Sequence, residues 1–407
     1  MRTISAAFSA CLLLFATVFA PIARGYTIDS TVAASGGCPQ PNRWNLSLAT
    51  PLNRRWSTSI PTSGAILTVA PTGSAAQLDE IEQVITDSFG VWSGVSGTIL
   101  NAVANPGAIA PLERTGAADA CSNDSGANVD GLNTICFNQA SAGFTFGVLA
   151  FTRVISANAP GVSVGSSGPA AFTGQILDAD TLVRNDGQAA FATPQALSTP
   201  RGAGAFDLES ILTHELGHWL GLDHSAVIRA IMFPFSPPPG QFLGDRPTPQ
   251  TPDGPLADDD RTGIRVLYPN ASDAVNVGTI SGRIIPANLF ALAALPSSAP
   301  GQFITGIFGA HVVAVDSDTG AVVAGTLGGW SCSAANPPTT QFDGTFSIQR
   351  LPVGRNYLIY AEPLVGIATA PNFGVALNDL CSGADASFCA TPAVDTNFNV
   401  RTLPSLP

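Results

Sequence analysis

The sequence predicts an α+β domain, a twisted sheet with three helices, followed by an all-β domain. Three observations carry this reading. Apolar residues recur at helical spacing in three separate stretches before residue 270. Between those stretches lie runs rich in Val, Ile, Thr and Phe, bounded by Gly, Ser and Pro. Beyond residue 273 the helical spacing stops, and turn-separated β-type runs continue. The length of 407 residues suits two or three domains.

Composition narrows the partners. The chain is 45% hydrophobic and only 11% charged, which supports a sizeable core and excludes a disordered chain. All 17 basic residues are arginine, against 29 acids, for a net charge of −12. With no basic run, nucleic acid and anionic membrane surfaces are excluded as partners.

Residues 1–25 read as a secretory signal. Arg2 supplies the positive end, Ala6 to Ala20 the apolar core, and Ala23-Arg24-Gly25 a small-residue cleavage site. Pro21 cuts the apolar run short of the roughly 20 residues a membrane span needs. No other stretch is long and apolar enough, so no integral membrane segment is expected after signal removal, and the product is expected to be secreted or associated with the cell surface. Of seven cysteines, six remain after cleavage, an even number that suits disulfides in an exported chain. Cys121–Cys136 and a pairing among Cys332, Cys381 and Cys389 are the favoured bonds.

The first helix spans Gln77 to Trp92, where Leu78, Ile81, Ile85, Phe89 and Trp92 form the apolar stripe. The runs 145–156 and 174–185 read as strands. The second helix begins at an Asp207 cap and buries Leu208, Ile211, Leu212, Trp219 and Leu220. A proline-rich segment, 234–256, leads to a short acid-capped helix within 256–269, which is expected to complete the first domain. The first domain is therefore drawn at 26–272 and the all-β domain at 273–407, with turns at 316–320 and at Asp343-Gly344 reading as hairpins. On this division the first domain is expected to fold and hold metal without the second.

The chemistry lies in His-Glu-Leu-Gly-His-Trp-Leu-Gly-Leu-Asp-His, 214–224. His214 and His218 are one helical turn apart, so both imidazoles share a face and can hold one ion. Glu215 lies between them as a candidate general base. Gly221 can adopt a left-handed conformation that ends the helix and returns His224 as third ligand. Three neutral imidazoles leave a fourth position open, the layout of a catalytic zinc site. All five fixed positions are present, which is far more specific than a lone His-Glu-x-x-His.

This pattern resembles that of the metzincin metallopeptidases, and its surroundings resemble the matrixin branch. Ser225 follows the third His, as in matrixins. Ala230 to Pro234 resembles their Met-turn, which implies Met232 as a support beneath the zinc ligands. Residues 258–269 resemble their closing helix, and 77–92 their first. Residues 148–153 are similar to the edge strand along which substrate lies, which implies Leu149, Ala150 and Phe151 as substrate-binding residues. Phe233 and Pro234, with Phe235 and Phe242, fall where the pocket for the residue after the scissile bond is expected. The resemblance thus implies an α+β metzincin-type catalytic domain, followed by an all-β sandwich that resembles a carboxypeptidase regulatory-like, transthyretin-type domain. It covers roughly 40–272 and is strongest over 206–268.

There are departures. The cysteine-switch propeptide is missing, with Cys38 at most a remnant. The histidine-built structural zinc site is absent, since His311 lies in the other domain. Pro234 stands where some metzincins place a tyrosine ligand. One zinc per chain is expected. Calcium is a further candidate cofactor, on Asp119, Asp124, Asp130, Asp178, Asp180 or Asp186. The expected function is zinc-dependent endopeptidase action on extracellular proteins or peptides, with Glu215 as general base. The rival is a surface-binding or adhesive protein whose β-sandwich carries the function and whose protease fold is vestigial.

Overall fold

A computed structural model describes residues 28–363 and 401–406, except 32, 34–37, 39, 48–50, 61–65, 101–106, 117–128, 138–143, 145–146, 245–253, 255, 287–305, 308, 330, 334–338 and 342. Residues 1–25, expected as a secretory signal, lie outside the described residues, as do Asp119, Asp124, Cys121, Cys381 and Cys389. The chain forms two compact units. One is built mainly from Arg43–Leu220 and Phe235–Leu256, the other from the N-terminal arm to Asn42, Gly221–Pro234 and the chain from Ala257 onward. Contacts therefore group the chain otherwise than a division at 272.

The first unit is organised on a five-stranded sheet. Its strands are β1 (Leu52–Ser57), β2 (Ile109–Thr115), β3 (Thr134–Cys136), β4 (Ala150–Ser156) and β5 (Ile176–Val183), in the order β2-β1-β3-β5-β4. The first four in that order pair in parallel, and β4 runs antiparallel to β5 at the sheet edge. Parallel pairing requires crossovers, and helix α1 (Ala75–Ser93) lies on the path from β1 to β2. Ser74 caps α1 by accepting the Gln77 N–H at 3.1 Å. Ile81, Ile85, Phe89 and Trp92 are buried as the spacing predicts, whereas Leu78 is half-buried.

Helix α2 (Leu208–Trp219) starts at Asp207, whose Oδ1 accepts the N–H groups of Glu209 and Ser210 at 3.0 and 3.2 Å. It packs on α1 through large aromatics: Phe89 meets Trp219 edge-on at 5.3 Å, and Trp44 lies 4.9 Å from Trp219. Two indoles also bond to the α2 backbone, with Trp92 Nε1 donating to Thr213 O at 2.9 Å and Trp44 Nε1 to Trp219 O at 2.8 Å. These bonds fix α2 along its length.

The second unit contains helix α3 (Asp258–Leu267) and strands β6 (Val277–Arg283), β7 (Ala310–Asp316), β8 (Val322–Gly328), β9 (Thr345–Pro352), β10 (Tyr357–Pro363) and β11 (Arg401–Leu406). One sheet has the order β8-β7-β10-β11, and β6 pairs with β9. Val312, Ala314, Val323, Phe346, Ile348 and Ile359 contribute to one buried core shared by the strands of both sheets. The 316–320 turn joins β7 to β8 as expected, with Gly320 at φ 73°. Asp343-Gly344 also turns the chain, but it joins no paired strands, because β9 pairs with β6.

The disulfide pattern differs from the expectation. Cys332 bonds to Cys38 across 294 residues, not to Cys381 or Cys389. Cys38 is thus no free thiolate. Cys136 is also disulfide-bonded. Local spacing favoured near neighbours, but the N-terminal arm folds back within the second unit and brings Cys38 to the β-rich segment. Helix α3 packs on β8 and β9, so it too belongs with the β-rich strands.

Candidate metal centre

His214 and His218 lie on α2 one turn apart, with ring centroids 4.9 Å from one another and planes at 84°. Helix α2 gives way at Leu220, and Gly221 adopts φ 98°, the left-handed conformation that a Cβ would strain. The chain then turns to His224. The candidate ligand atoms of His214, His218 and His224 all lie within 4.8 Å of one another, and among the described residues no other group of His, Cys, Asp or Glu does this. His218 is buried and the other two are half-buried. Neutral imidazoles on a closed arc of this size suit zinc, so the residues present fit the ion that their spacing predicts.

Glu215 is buried on the same helix. Its Oε2 accepts the Thr152 hydroxyl at 2.8 Å, and Thr152 Oγ1 lies 2.9 Å from Thr181 Oγ1 across the β4–β5 ladder. Burial pushes the Glu215 carboxyl up to about 8, with the Thr152 hydrogen bond opposing. Thr152 was not singled out from sequence. Its signal was available, as a polar residue at an inward position of the expected edge strand.

The loop carrying His224 is held by carboxylates. Asp260 Oδ2 accepts the Ile231 N–H at 2.8 Å and its Oδ1 the Met232 N–H at 3.1 Å, while Ser225 N–H donates to Met232 O at 2.7 Å. Met232 is buried at the centre of this turn. Asp259 and Asp260 are buried themselves, which raises their carboxyls to about 6 and about 7. On the other flank, Asp29 N–H donates to Gly221 O at 3.0 Å, and the half-buried Asp29 lies beside the buried Asp223. Burial holds both of those carboxyls well above the ordinary range. Sequence reading treated the acids of α3 as helix caps and missed this bracing role, which depends on contacts distant in the chain.

Leu149, Ala150 and Phe151 lead into and begin β4, the sheet edge, with Ala150 paired to Val183 and Phe151 to Leu182. Phe151 is half-buried and lies 5.2 Å from Phe144. Phe233 and Pro234 are half-buried directly after Met232, and Phe235 is exposed.

The calcium candidates within the described residues are Asp130, Asp178, Asp180 and Asp186, and Asp130 Oδ1 accepts the Leu132 N–H at 2.8 Å. Asp186 forms a two-point pair with Arg184, at 2.7 Å on each side. Asp180 accepts the Thr134 N–H and faces Arg153 at 3.6 Å. Asp178 is fully buried beside Arg153 and Asp130.

Residues 164–269 match the family model of the matrixins, Peptidase M10. "Metalloendoproteinase 1" of Glycine max is 50% identical over 64 residues, 16% of this chain and 17% of that protein. "Metalloendoproteinase 1-MMP" of Arabidopsis thaliana is 36% identical over 95 residues, 21% of this chain and 23% of that protein. "Metalloendoproteinase 5-MMP" of Arabidopsis thaliana is 48% identical over 62 residues, 15% of this chain and 14% of that protein. The chain thus spans less than a quarter of the length of each of these relatives. Over the matched stretch it is matrixin-like, and that stretch contains all three histidines and Glu215. Among the described residues no helix is long and apolar enough to cross a membrane.

Proposed function

We propose that the chain is a zinc metalloendopeptidase, exported after removal of residues 1–25 and acting on extracellular proteins or peptides. The observation that carries this is the convergence of His214, His218 and His224 to within 4.8 Å, with Glu215 on the same helix as the first two. The match of residues 164–269 to the matrixins supports it. His214, His218 and His224 would hold the ion. When bound, zinc supplies a Lewis acid that polarises the scissile carbonyl and acidifies water.

The remaining work falls to the chain. Glu215 takes the proton of the attacking water and returns it to the leaving amine. Thr152 holds that carboxyl by its hydroxyl and so limits where the proton can be received. An extended peptide pairs with the free edge of β4 beside Leu149, Ala150 and Phe151, since an edge strand offers unpaired backbone groups. Phe233 and Pro234 are assigned to the pocket for the residue after the scissile bond, and Met232 to the floor of the metal site. Residues 26–272 constitute the catalytic domain in this reading, and 273–407 a transthyretin-type β-sandwich. The cofactor is one zinc per chain; whether calcium is also required is read by dialysis against a calcium-selective chelator.

Incubating purified protein with casein, with and without a zinc chelator, tests the reading. Glu215→Ala is expected to keep its zinc and lose about 10²–10⁴-fold in rate. Near wild-type proteolysis by that variant refutes the mechanism. Zinc-dependent binding with no hydrolysis by the wild type favours the adhesive alternative, which the intact Glu215 counts against.

A further inference from the structure

We propose that Gly325, on strand β8 far along the chain, is a positioning residue for the third zinc ligand; this rests on the zinc reading above. Its N–H donates to Asp259 Oδ1 at 2.7 Å. The other oxygen of the same carboxylate, Oδ2, accepts the Ser225 hydroxyl at 2.6 Å. Ser225 Oγ in turn accepts the Val227 N–H at 3.0 Å, and Ser225 N–H is tied to Met232 O at 2.7 Å. Ser225 is the residue after His224. One carboxylate therefore joins the β-rich strands to the loop that carries a ligand.

Burial makes the connection exclusive. Asp259 is 1% exposed and Ser225 3%, so water has little room to replace a lost partner. Close packing makes it specific to glycine. A Cβ on Gly325 would lie 2.4 Å from His311 Nε2 and 2.9 Å from Val227 Cγ2. His311 is itself tethered, its Nδ1 lying 2.9 Å from Glu362 Oε1 on the neighbouring strand β10. A side chain at 325 would push on Val227, two residues beyond Ser225, and draw the N–H away from Asp259. The β-rich strands are on this view part of the metal site's support.

The test uses the full chain in three forms, Gly325→Ala, Ser225→Ala and the double variant, with exposed Val353→Ser as a control. Zinc release to a competing chelator is followed alongside the visible absorption of the cobalt-substituted protein. Each single variant is expected to release zinc about tenfold faster, the low end for groups that orient metal ligands, and to alter the cobalt spectrum. The double variant is expected to be no worse than the worse single one, because both cut the same relay. Val353→Ser is expected to match wild type. Unchanged zinc release in both single variants, or fully multiplicative effects in the double, overturns the relay. Should Gly325→Ala not fold, unchanged release in Ser225→Ala overturns it alone. A wild type that holds no zinc instead overturns the metal reading, and the relay with it.

Discussion

Asp178 offers the sharpest test of the fold's electrostatics. Its side chain is fully buried on β5, and neither oxygen makes a hydrogen bond of good geometry among the described residues, although the Gly131 and Leu132 amides face it. Burial is the largest influence; Asp130 adds repulsion, and Arg153, which also faces Asp180, opposes both. Together they raise the carboxyl from 3.8 to about 7. The folded state therefore binds this proton more tightly than the unfolded chain. Below pH 3.8 both states are protonated and the group is neutral in its effect. Between there and about pH 7 the folded state loses about 1.4 kcal/mol per pH unit from this residue, a total of about 4 kcal/mol. Asp178→Asn keeps the shape and cannot ionise. Urea unfolding of both proteins from pH 4 to pH 8 should show the variant gaining on wild type by up to about 4 kcal/mol, with the gain complete just above pH 7. Other buried acids, including Asp260, tilt both curves alike, so the difference isolates Asp178. Parallel curves would refute the reasoning.

His224→Ala is expected to empty the zinc site or weaken it severely, whereas His311→Ala should leave zinc content unchanged, because it removes bulk beside Gly325 and no bond in the relay; elemental analysis after dialysis decides. Cys38→Ser should cost about 2–5 kcal/mol in oxidising buffer, given a closed loop of 294 residues. The same substitution should make no difference in reducing buffer, as read by urea unfolding.

Local signals carried well. The cap at Asp207, the buried stripe of α1 and the left-handed Gly221 each depend on neighbours within a few residues, and each stands where the spacing placed it. The three histidines were legible for the same reason, since helical pitch alone sets His214 against His218. What could not be read depends on pairing across distance. The parallel strands β1, β2 and β3 are short and carry little alternation, and their register comes from partners more than 40 residues away. Cys332 has near neighbours in sequence, yet it bonds to Cys38. Asp259 looked like a helix-cap residue, and only the fold brings Gly325 to it.

The disulfide also sets a clock. Residue 332 must be synthesised before Cys38 has a partner, and at about 5–20 residues per second the 294 intervening residues take roughly 15 to 60 seconds. Gly325, seven residues earlier, arrives at nearly the same moment. Only over the last part of that interval, once residue 224 is made, does the emerging chain hold His214, His218 and His224 while still lacking both the staple and the strand proposed to brace the ligand loop. On the proposed reading, the loop that carries His224 would stay slack until the tail of the chain is in place.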